Sequence, residues 1–208
     1  MGFSIGRIFG TDVRATGGFF LLMGFYFLQL GVDRAAEAAV FCIAVIISLL
    51  VHEFGHVYAV RQQLKSESQV ILWGLGGLCV HPPAQYPKQR VIISLMGPAF
   101  EAVLGVAAVL VYWLAPPTNP YLFAFVWYMV WINVFWLTLN LVPLRPLDGG
   151  QALQAALEMR MAPAKAGAIA RRVSVVTGGA VLVAGILLQF PLLSVMALLL
   201  LIHNLRTV

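Results

Sequence analysis

Charged side chains are scarce in this 208-residue chain. They make up 10% of the sequence, whereas 61% of the residues are hydrophobic. Soluble domains contain about 25% charged and about 45–50% apolar residues, so this balance excludes an ordinary soluble protein. It predicts an integral membrane protein whose apolar surface contacts a lipid bilayer.

Cysteine and long polar segments are also nearly absent. The two cysteines, Cys42 and Cys79, fall in an apolar run and in a short loop, so we expect free thiols and no disulfide framework. The longest polar-leaning segment is residues 61–90, which is below the roughly 40 residues at which a domain folds unaided. We therefore expect a single transmembrane domain over residues 1–208.

Apolar runs of membrane-crossing length occur about six times. They predict helices near residues 17–32, 35–60, 91–115, 121–142, 173–188 and 192–205, with the fourth continuing as a broken helix at 148–159. The first run is short for the roughly 20 residues of a spanning helix, and more membrane sequence follows it at once. We interpret it as an uncleaved anchor. The expected fold class is an all-α polytopic membrane protein.

The positions of the basic residues explain the formal net charge of +5. If the N-terminus is cytoplasmic and all six runs cross, twelve of the thirteen basic residues lie inside and only Arg34 lies outside. This distribution follows the positive-inside rule. We expect both termini in the cytoplasm, a place in the cell (inner) membrane, and no nucleic-acid partner; the oligomeric state is left open.

The segment SQVILWGLGGLCVHPP, residues 68–83, has a different character. It contains two short β-prone stretches around Gly74, Gly76 and Gly77, and Pro82 and Pro83 follow them. It is too apolar for a solvated loop and too rich in glycine for a spanning helix. The sequence predicts a small β-hairpin that dips into the membrane from the cytoplasmic side, where protein or a wet cavity covers its edge.

Residues 52–56, His-Glu-Phe-Gly-His, place three ionisable side chains inside the second apolar run. On a helix, His52 and His56 share one face and can reach the same metal ion. Glu53 can approach a water molecule on that ion and take its proton. Unpaired ionisable groups at membrane depth are unfavourable, so the motif is more specific here than in a soluble protein. It predicts a zinc site.

A catalytic zinc ion needs a third protein ligand. The candidates are His81, Glu101, Asp148 and His203. Asp148 is favoured because it ends NLVPLRPLDGG, residues 140–150, where Pro143 and Pro146 break the fourth helix. Broken helices at membrane depth line cavities and mark binding sites. The alternative is that Asp148 only caps the helix that resumes there as its N-cap.

Three motifs together resemble the site-2 protease family of intramembrane zinc metalloproteases. They are HEFGH at residue 52, the pair Gly97-Pro98, and NLVPLRPLDGG, in the right order over nearly the whole chain. The resemblance implies that zinc is held by His52, His56 and Asp148, that Glu53 is the catalytic acid and base, and that the substrate is a transmembrane segment of a membrane-anchored protein.

The resemblance also implies roles in substrate binding. Asn140 would lie near the scissile peptide, and the hairpin around Gly76 and Gly77 would hold the unwound substrate. Asn133 fits a second asparagine that the family often carries on this helix. An extended substrate strand could pair with the hairpin edge and so replace the hydrogen bonds lost on unwinding.

Two features depart from the family pattern. Glu101 stands where relatives more often have a small or amide residue, and we expect it to be protonated or to face the cavity. A PDZ or CBS domain, which relatives often carry, does not fit in this length, so we expect a minimal form. The alternatives are a membrane transporter or metal permease, and a proteolytically inactive homologue that binds membrane proteins.

Overall fold

The computed structural model describes residues 2–29, 32–74 and 76–206. In chain order its elements are β1 (Phe3–Ile8), β2 (Thr11–Ala15), α1 (Gly17–Gln29), a 3-10 turn (Val32–Arg34), α2 (Ala35–Leu64), β3 (Gln69–Trp73), β4 (Gly76–Val80), α3 (Pro87–Leu114), α4 (Pro120–Leu141), α5 (Asp148–Glu158), α6 (Pro163–Leu187) and α7 (Pro191–Arg206). The chain divides into two compact units. The first is Met1–Pro83 with Met96–Leu137, and the second is Ala84–Leu95 with Thr138–Val208.

Four of the described helices, α2, α3, α4 and α6, are long and apolar enough to cross a membrane. Together they identify an integral membrane protein. α1 has 13 residues and α7 has 16, both short of the roughly 20 that span a bilayer, so six crossings stay a prediction. The first predicted helix also included residues 30 and 31, which lie outside the described part of the chain.

The first unit contains a four-stranded sheet in the order β1-β2-β3-β4. The predicted hairpin is β3 with β4, paired antiparallel, but β3 also pairs in parallel with β2. Strands β1 and β2 were not predicted, so an all-α description is incomplete. In β2, Thr11, Val13 and Ala15 are buried and the residues between them are exposed, which is the period-two pattern of a strand. The pattern covers only five residues, which is why the sequence did not reveal it.

The sheet packs on α2 through an apolar core. Its buried members are Val13, Ala15, Phe19, Val57, Val70 and Leu72. Arg61, in the last part of α2, fixes the turn between β1 and β2, because its Nη2 donates to the Phe9 carbonyl at 2.8 Å and to Thr11 Oγ1 at 2.9 Å. The carboxyl half of α2 is therefore held against the sheet.

The opposite end of α2 is held by polar contacts to α4. The Tyr128 hydroxyl donates to Glu37 Oε1 at 2.7 Å, and Arg34 pairs with the same carboxylate. Deeper in the unit, Ser48 Oγ donates to Asn133 Oδ1 at 3.0 Å, and Asn133 Nδ2 donates to the Met129 carbonyl. Asn133 thus joins α4 to α2 at a buried position.

The second unit contains α5, α6 and α7. The helices α6 and α7 pack antiparallel through small residues, since Gly178 faces Leu201 and Gly185 faces Ser194. α6 begins at Pro163, well before the predicted start at residue 173. Proline suits the first helical position, and the basic first turns of α6 had hidden its start from a criterion based on apolar residues alone.

Candidate metal centre

His52 and His56 lie one turn apart on the buried face of α2. Their Nε2 atoms are 3.1 Å apart. Two imidazole nitrogens bound to one tetrahedral zinc ion at 2.0–2.1 Å are separated by about 3.3 Å, so this pair is spaced to share a metal ion. The structure thus brings the two histidines of the motif together within the first unit.

Gly97 of α3 provides the space in which the two imidazoles converge. A Cβ atom at Gly97 would lie 2.3 Å from His56 Nε2 and 2.9 Å from His52 Nε2. A side chain there would occupy the volume beside both metal-ligating nitrogens. The glycine of the Gly97-Pro98 pair is therefore required by the histidines, which gives a physical reason for this motif.

A second glycine allows α2 and α3 to approach. A Cβ atom at Gly55 would lie 2.4 Å from the carbonyl oxygen of Met96, which is backbone and cannot move aside. Small residues permit this kind of close helix crossing in membranes. Gly55, which lies between the two histidines of the motif, thus sets the distance between α2 and Gly97 of α3.

Glu101 also faces the histidine pair. Its Oε2 lies 3.0 Å from His52 Nδ1, and its side chain is 1% exposed. Glu101 was expected to be protonated or to face the cavity, and its contact with His52 was not predicted. The contact joins residues 49 positions apart, so no local pattern could reveal it.

Glu53 is buried and lies against strand β4. A Cβ atom at Gly77 would lie 2.3 Å from Glu53 Oε1 and 2.4 Å from its Cγ. The absence of a side chain at Gly77 is thus what makes room for this carboxylate. Gly76, the other predicted platform residue, has φ +144°, a conformation that other residues rarely adopt.

Asp148 lies in the second unit, at the first residue of α5. The N-cap is Leu147 and no side chain caps this helix, so the predicted role of Asp148 as N-cap was wrong by one position. The side chain of Asp148 is buried.

The segment between α4 and α5 folds back tightly. A Cβ atom at Gly149 would lie 2.3 Å from the carbonyl oxygen of Leu141, and one at Gly150 would lie 2.5 Å from the amide nitrogen of Arg145. Both obstacles are backbone atoms. The two glycines after Asp148 are therefore required by the turn itself, where Pro143 and Pro146 prevent the helix from continuing.

Two later helices fix the middle of this turn. The Arg145 amide donates to Ser174 Oγ of α6 at 3.1 Å, and the Arg145 carbonyl accepts from Asn204 Nδ2 of α7. Ser174 and Asn204 are both buried. Sequence reasoning missed both residues; the available signal was a polar side chain inside an apolar helix, which needs a partner at membrane depth.

The remaining candidates have other surroundings. His81 is half-buried with Nδ1 2.7 Å from the Pro82 carbonyl, and His203 is exposed in the last turn of α7. Asn140 is half-buried in the last turn of α4.

Burial raises the pKa of the Cys79 thiol to about 12, which disfavours the thiolate that binds metals. Of the described residues, those that could hold a metal are His52, His56 and Asp148, each offering one ligand atom.

Glu158, the last residue of α5, has partners of its own in the second unit. Arg90 and Gln154 both hydrogen-bond its carboxylate. The hydrogen bond from Arg90 holds the pKa of Glu158 below its ordinary value. It is a structural ion pair in the second unit.

Several known proteins are similar to this chain in sequence. Residues 40–121 and 117–184 match the model of peptidase family M50. The putative zinc metalloprotease Rip3 of Mycobacterium tuberculosis is 30% identical over 151 residues, which is 66% of this chain and 38% of that protein. The zinc metalloprotease MJ0392 of Methanocaldococcus jannaschii is 26% identical over 137 residues, covering 65% of this chain and 39% of the relative. The chain spans about two fifths of the length of these relatives.

A solved structure shares the fold. The site-2 protease from Methanocaldococcus jannaschii superposes with a TM-score of 0.68 at 21% identity, over 99% of this chain and 94% of that one. The family model covers more than half of the chain, including both the histidine helix and the turn that carries Asp148. The chain therefore belongs to peptidase family M50, in agreement with its resemblance to site-2 proteases.

Proposed function

We propose that this protein is an intramembrane zinc metalloprotease that cleaves a transmembrane segment of a membrane-anchored substrate, as in regulated intramembrane proteolysis. The observation that carries the proposal is the arrangement on α2: two buried imidazoles 3.1 Å apart, with the adjacent Glu53 carboxylate against a strand at the edge of a sheet. A metal site for structure alone or for transport has no use for that carboxylate.

The proposed ligands are His52, His56 and Asp148. Two neutral imidazoles and a carboxylate form one of the donor sets of catalytic zinc sites, and they leave a fourth position open. When bound, zinc supplies Lewis acidity that activates water and polarises a carbonyl. The zinc metalloproteases among the relatives support this choice of metal.

Glu53 is the proposed acid and base. A carboxylate within hydrogen-bond reach of the attacking water can accept its proton and pass it to the leaving amine. The space at Gly77 lets the carboxylate lie beside the strand on which the peptide would be held.

Strand β4 is the proposed platform for the substrate. It lies at one end of the sheet order and pairs with β3 on its other side. A peptide unwound from its helix loses its i to i−4 hydrogen bonds, and pairing with a strand edge replaces them. Gly76 and Gly77 let the substrate backbone approach closely. Asn140, in the last turn of α4, is proposed to contact the peptide near the cut.

The proposed setting is the cell membrane, with both termini cytoplasmic. The charge distribution supports this orientation, because it leaves one basic residue outside if all six apolar runs cross. Reporter tags at both termini should then be cytoplasmic, and a tag at residues 116–120 should be outside. An outward N-terminus would reverse the side from which water reaches the site.

Metal analysis combined with cleavage of membrane-anchored reporters tests the proposal. Wild-type protein should hold one zinc ion per chain and cut a reporter. Zinc should be lost in His52→Ala, His56→Ala and Asp148→Ala. Glu53→Gln should retain zinc and cleave about 10²–10⁴-fold more slowly.

His81→Ala and His203→Ala are the matched controls and should keep zinc and activity. Zinc retained in Asp148→Ala but lost in either control would overturn the ligand assignment. Zinc present without cleavage of any reporter would favour a transporter or an inactive homologue. Full activity in Glu53→Gln would remove the proposed base.

A further inference from the structure

We propose that Glu101 is a positioning residue that holds the His52 imidazole in the tautomer and orientation needed to bind zinc. The inference rests on the proposed function for the identity of the metal. It assigns a role to a residue at which this chain departs from the family pattern.

The geometry is that of a carboxylate behind a metal-ligating histidine. Glu101 Oε2 lies 3.0 Å from His52 Nδ1, while His52 Nε2 lies 3.1 Å from His56 Nε2. The two ring nitrogens of His52 thus face different partners. A carboxylate oxygen that accepts a hydrogen bond from Nδ1–H fixes the ring proton there and leaves the Nε2 lone pair for the metal.

The position of Glu101 on α3 fits this role. Gly97 and Glu101 are four residues apart and therefore share one face of the helix. Gly97 leaves room for both imidazoles, and Glu101, one turn later, engages the far side of one of them. One face of α3 thus serves both to admit and to orient the histidines.

Burial strengthens the contact. Glu101 and His52 have side chains that are 1% and 7% exposed. Carboxylates in this second position orient metal-bound histidines in other proteins, and their loss typically weakens metal binding by about 10–100-fold.

The first experiment measures the His52 tautomer in metal-free protein by ¹⁵N NMR of histidine-labelled samples, with His52→Asn to assign the signal. In the wild type the proton should be on Nδ1, and in Glu101→Leu this preference should be lost. A wild-type His52 protonated on Nε2 would overturn the proposal. This readout needs neither zinc nor proteolysis, so it stands apart from the test of the proposed function.

The second experiment measures the zinc Kd by competition with a chelator. Glu101→Leu, which removes the acceptor at similar volume, should bind zinc about 10–100-fold more weakly. The matched control is Glu37→Leu, which removes a carboxylate of α2 that contacts Arg34 and Tyr128 instead of a histidine, and which should leave the zinc Kd unchanged. A zinc Kd of Glu101→Leu within twofold of wild type would contradict the proposal.

Glu101→Gln decides the matter if Glu101→Leu fails to fold. Its amide oxygen can still accept from Nδ1, but without charge, so zinc binding should weaken by no more than about tenfold. Complete loss of zinc, as in His56→Ala, would show that Glu101 acts as a ligand instead.

Discussion

The two regions that supply the proposed ligands are held in different ways. Around the histidines, the missing side chains at Gly77 and Gly97 make room for side-chain ends, those of Glu53 and the imidazoles. At the Asp148 turn, the missing side chains at Gly149 and Gly150 make room for backbone atoms. The histidine region is thus shaped around its chemical groups, and the aspartate turn around its own main chain.

This difference has a physical consequence. A side-chain end can rotate away from an intruding methyl group, so a substitution at Gly77 or Gly97 should displace a functional group and leave the fold intact. A carbonyl within a tight turn cannot rotate away, so a substitution there should damage the local fold first. Function and stability should therefore separate in one region and fall together in the other.

The largest expected effect is loss of zinc in Gly97→Ala. Its Cβ would lie 2.3 Å from His56 Nε2, so the imidazoles must turn away from their shared position. Zinc affinity should fall by more than about 100-fold, beyond the usual effect of an indirect contact, while Tm in detergent changes little. Chelator competition and thermal unfolding measure the two quantities.

Gly149→Ala should behave in the opposite way, with a fall in Tm equivalent to about 1–3 kcal/mol of strain and weaker zinc binding as a result. Gly179→Ala in α6 is the control, since a Cβ there meets nothing within 4 Å. If Gly97→Ala lost Tm as much as Gly149→Ala did, the contrast between the two regions would fail.

The next effect concerns catalysis without loss of metal. Gly77→Ala should push the Glu53 carboxylate from its place, because the new Cβ would lie 2.3 Å from Oε1. Cleavage should slow by about 10²–10⁴-fold, as for removal of a general base, with zinc retained. His81→Ala, at the residue that follows the same strand, should cleave nearly normally. Normal cleavage by Gly77→Ala would show that the position of the Glu53 carboxylate does not depend on the missing side chain at Gly77.

A smaller effect is expected from the residues that hold the Asp148 turn. Asn204→Ala leaves the Arg145 carbonyl without this donor, and Ser174→Ala removes the acceptor of its amide. Each change should lower the free energy of unfolding by about 1–3 kcal/mol. The double variant should lose less than the sum, since both bonds restrain one residue.

Denaturant titration in mixed micelles provides this measurement. Both single variants should also bind zinc more weakly, in proportion to their loss of stability. A normal zinc Kd in a clearly destabilised Asn204→Ala would mean that the turn keeps its shape without α7.

The smallest effect concerns the end of α5. Arg90 holds the pKa of Glu158 below its ordinary value of 4.5, so the folded state favours the ionised form. The stability that this pair contributes is present above pH 4.5 and is lost as the pH falls through the lowered folded pKa. Arg90 is partly exposed, so the effect should be below about 1 kcal/mol.

Tm measured from pH 6 to pH 3 should therefore fall slightly more in wild type than in Glu158→Gln. Equal slopes of Tm against pH in the two proteins would show that the ion pair contributes no measurable stability. A steeper slope in Glu158→Gln would reverse the sign of the expected linkage.

The same contrast explains what the sequence could predict. The spacing of His52, Glu53 and His56 is local to one helix, so their shared face followed from the helical period. The breaks around Asp148 were visible as prolines and glycines. Neither pattern contains the partners from distant helices, since Glu101, Ser174 and Asn204 are 49, 29 and 59 residues from the groups they contact.

Only two of the four strands of the sheet were predicted, for a similar reason. Strands β3 and β4 adjoin in sequence and are separated by glycines, which is the signal of a hairpin. The pairing of β2 with β3 has no such signal, because α1 and α2 intervene. The helix predicted for α6 was too short, because the prediction followed the apolar residues and left out the polar turns before them.

The parallel pairing of β2 with β3 constrains how the protein is made. Parallel neighbours cannot be joined by a tight turn, so residues 16–68 must leave the sheet and return to the end at which β2 began. During synthesis β1 and β2 can pair at once, but β2 then carries an open edge until β3 leaves the ribosome. Open strand edges bind other strands indiscriminately. The synthesis of α1 and α2 thus precedes the closure of the sheet, and a delay before β3 is made leaves the edge of β2 open to mispairing.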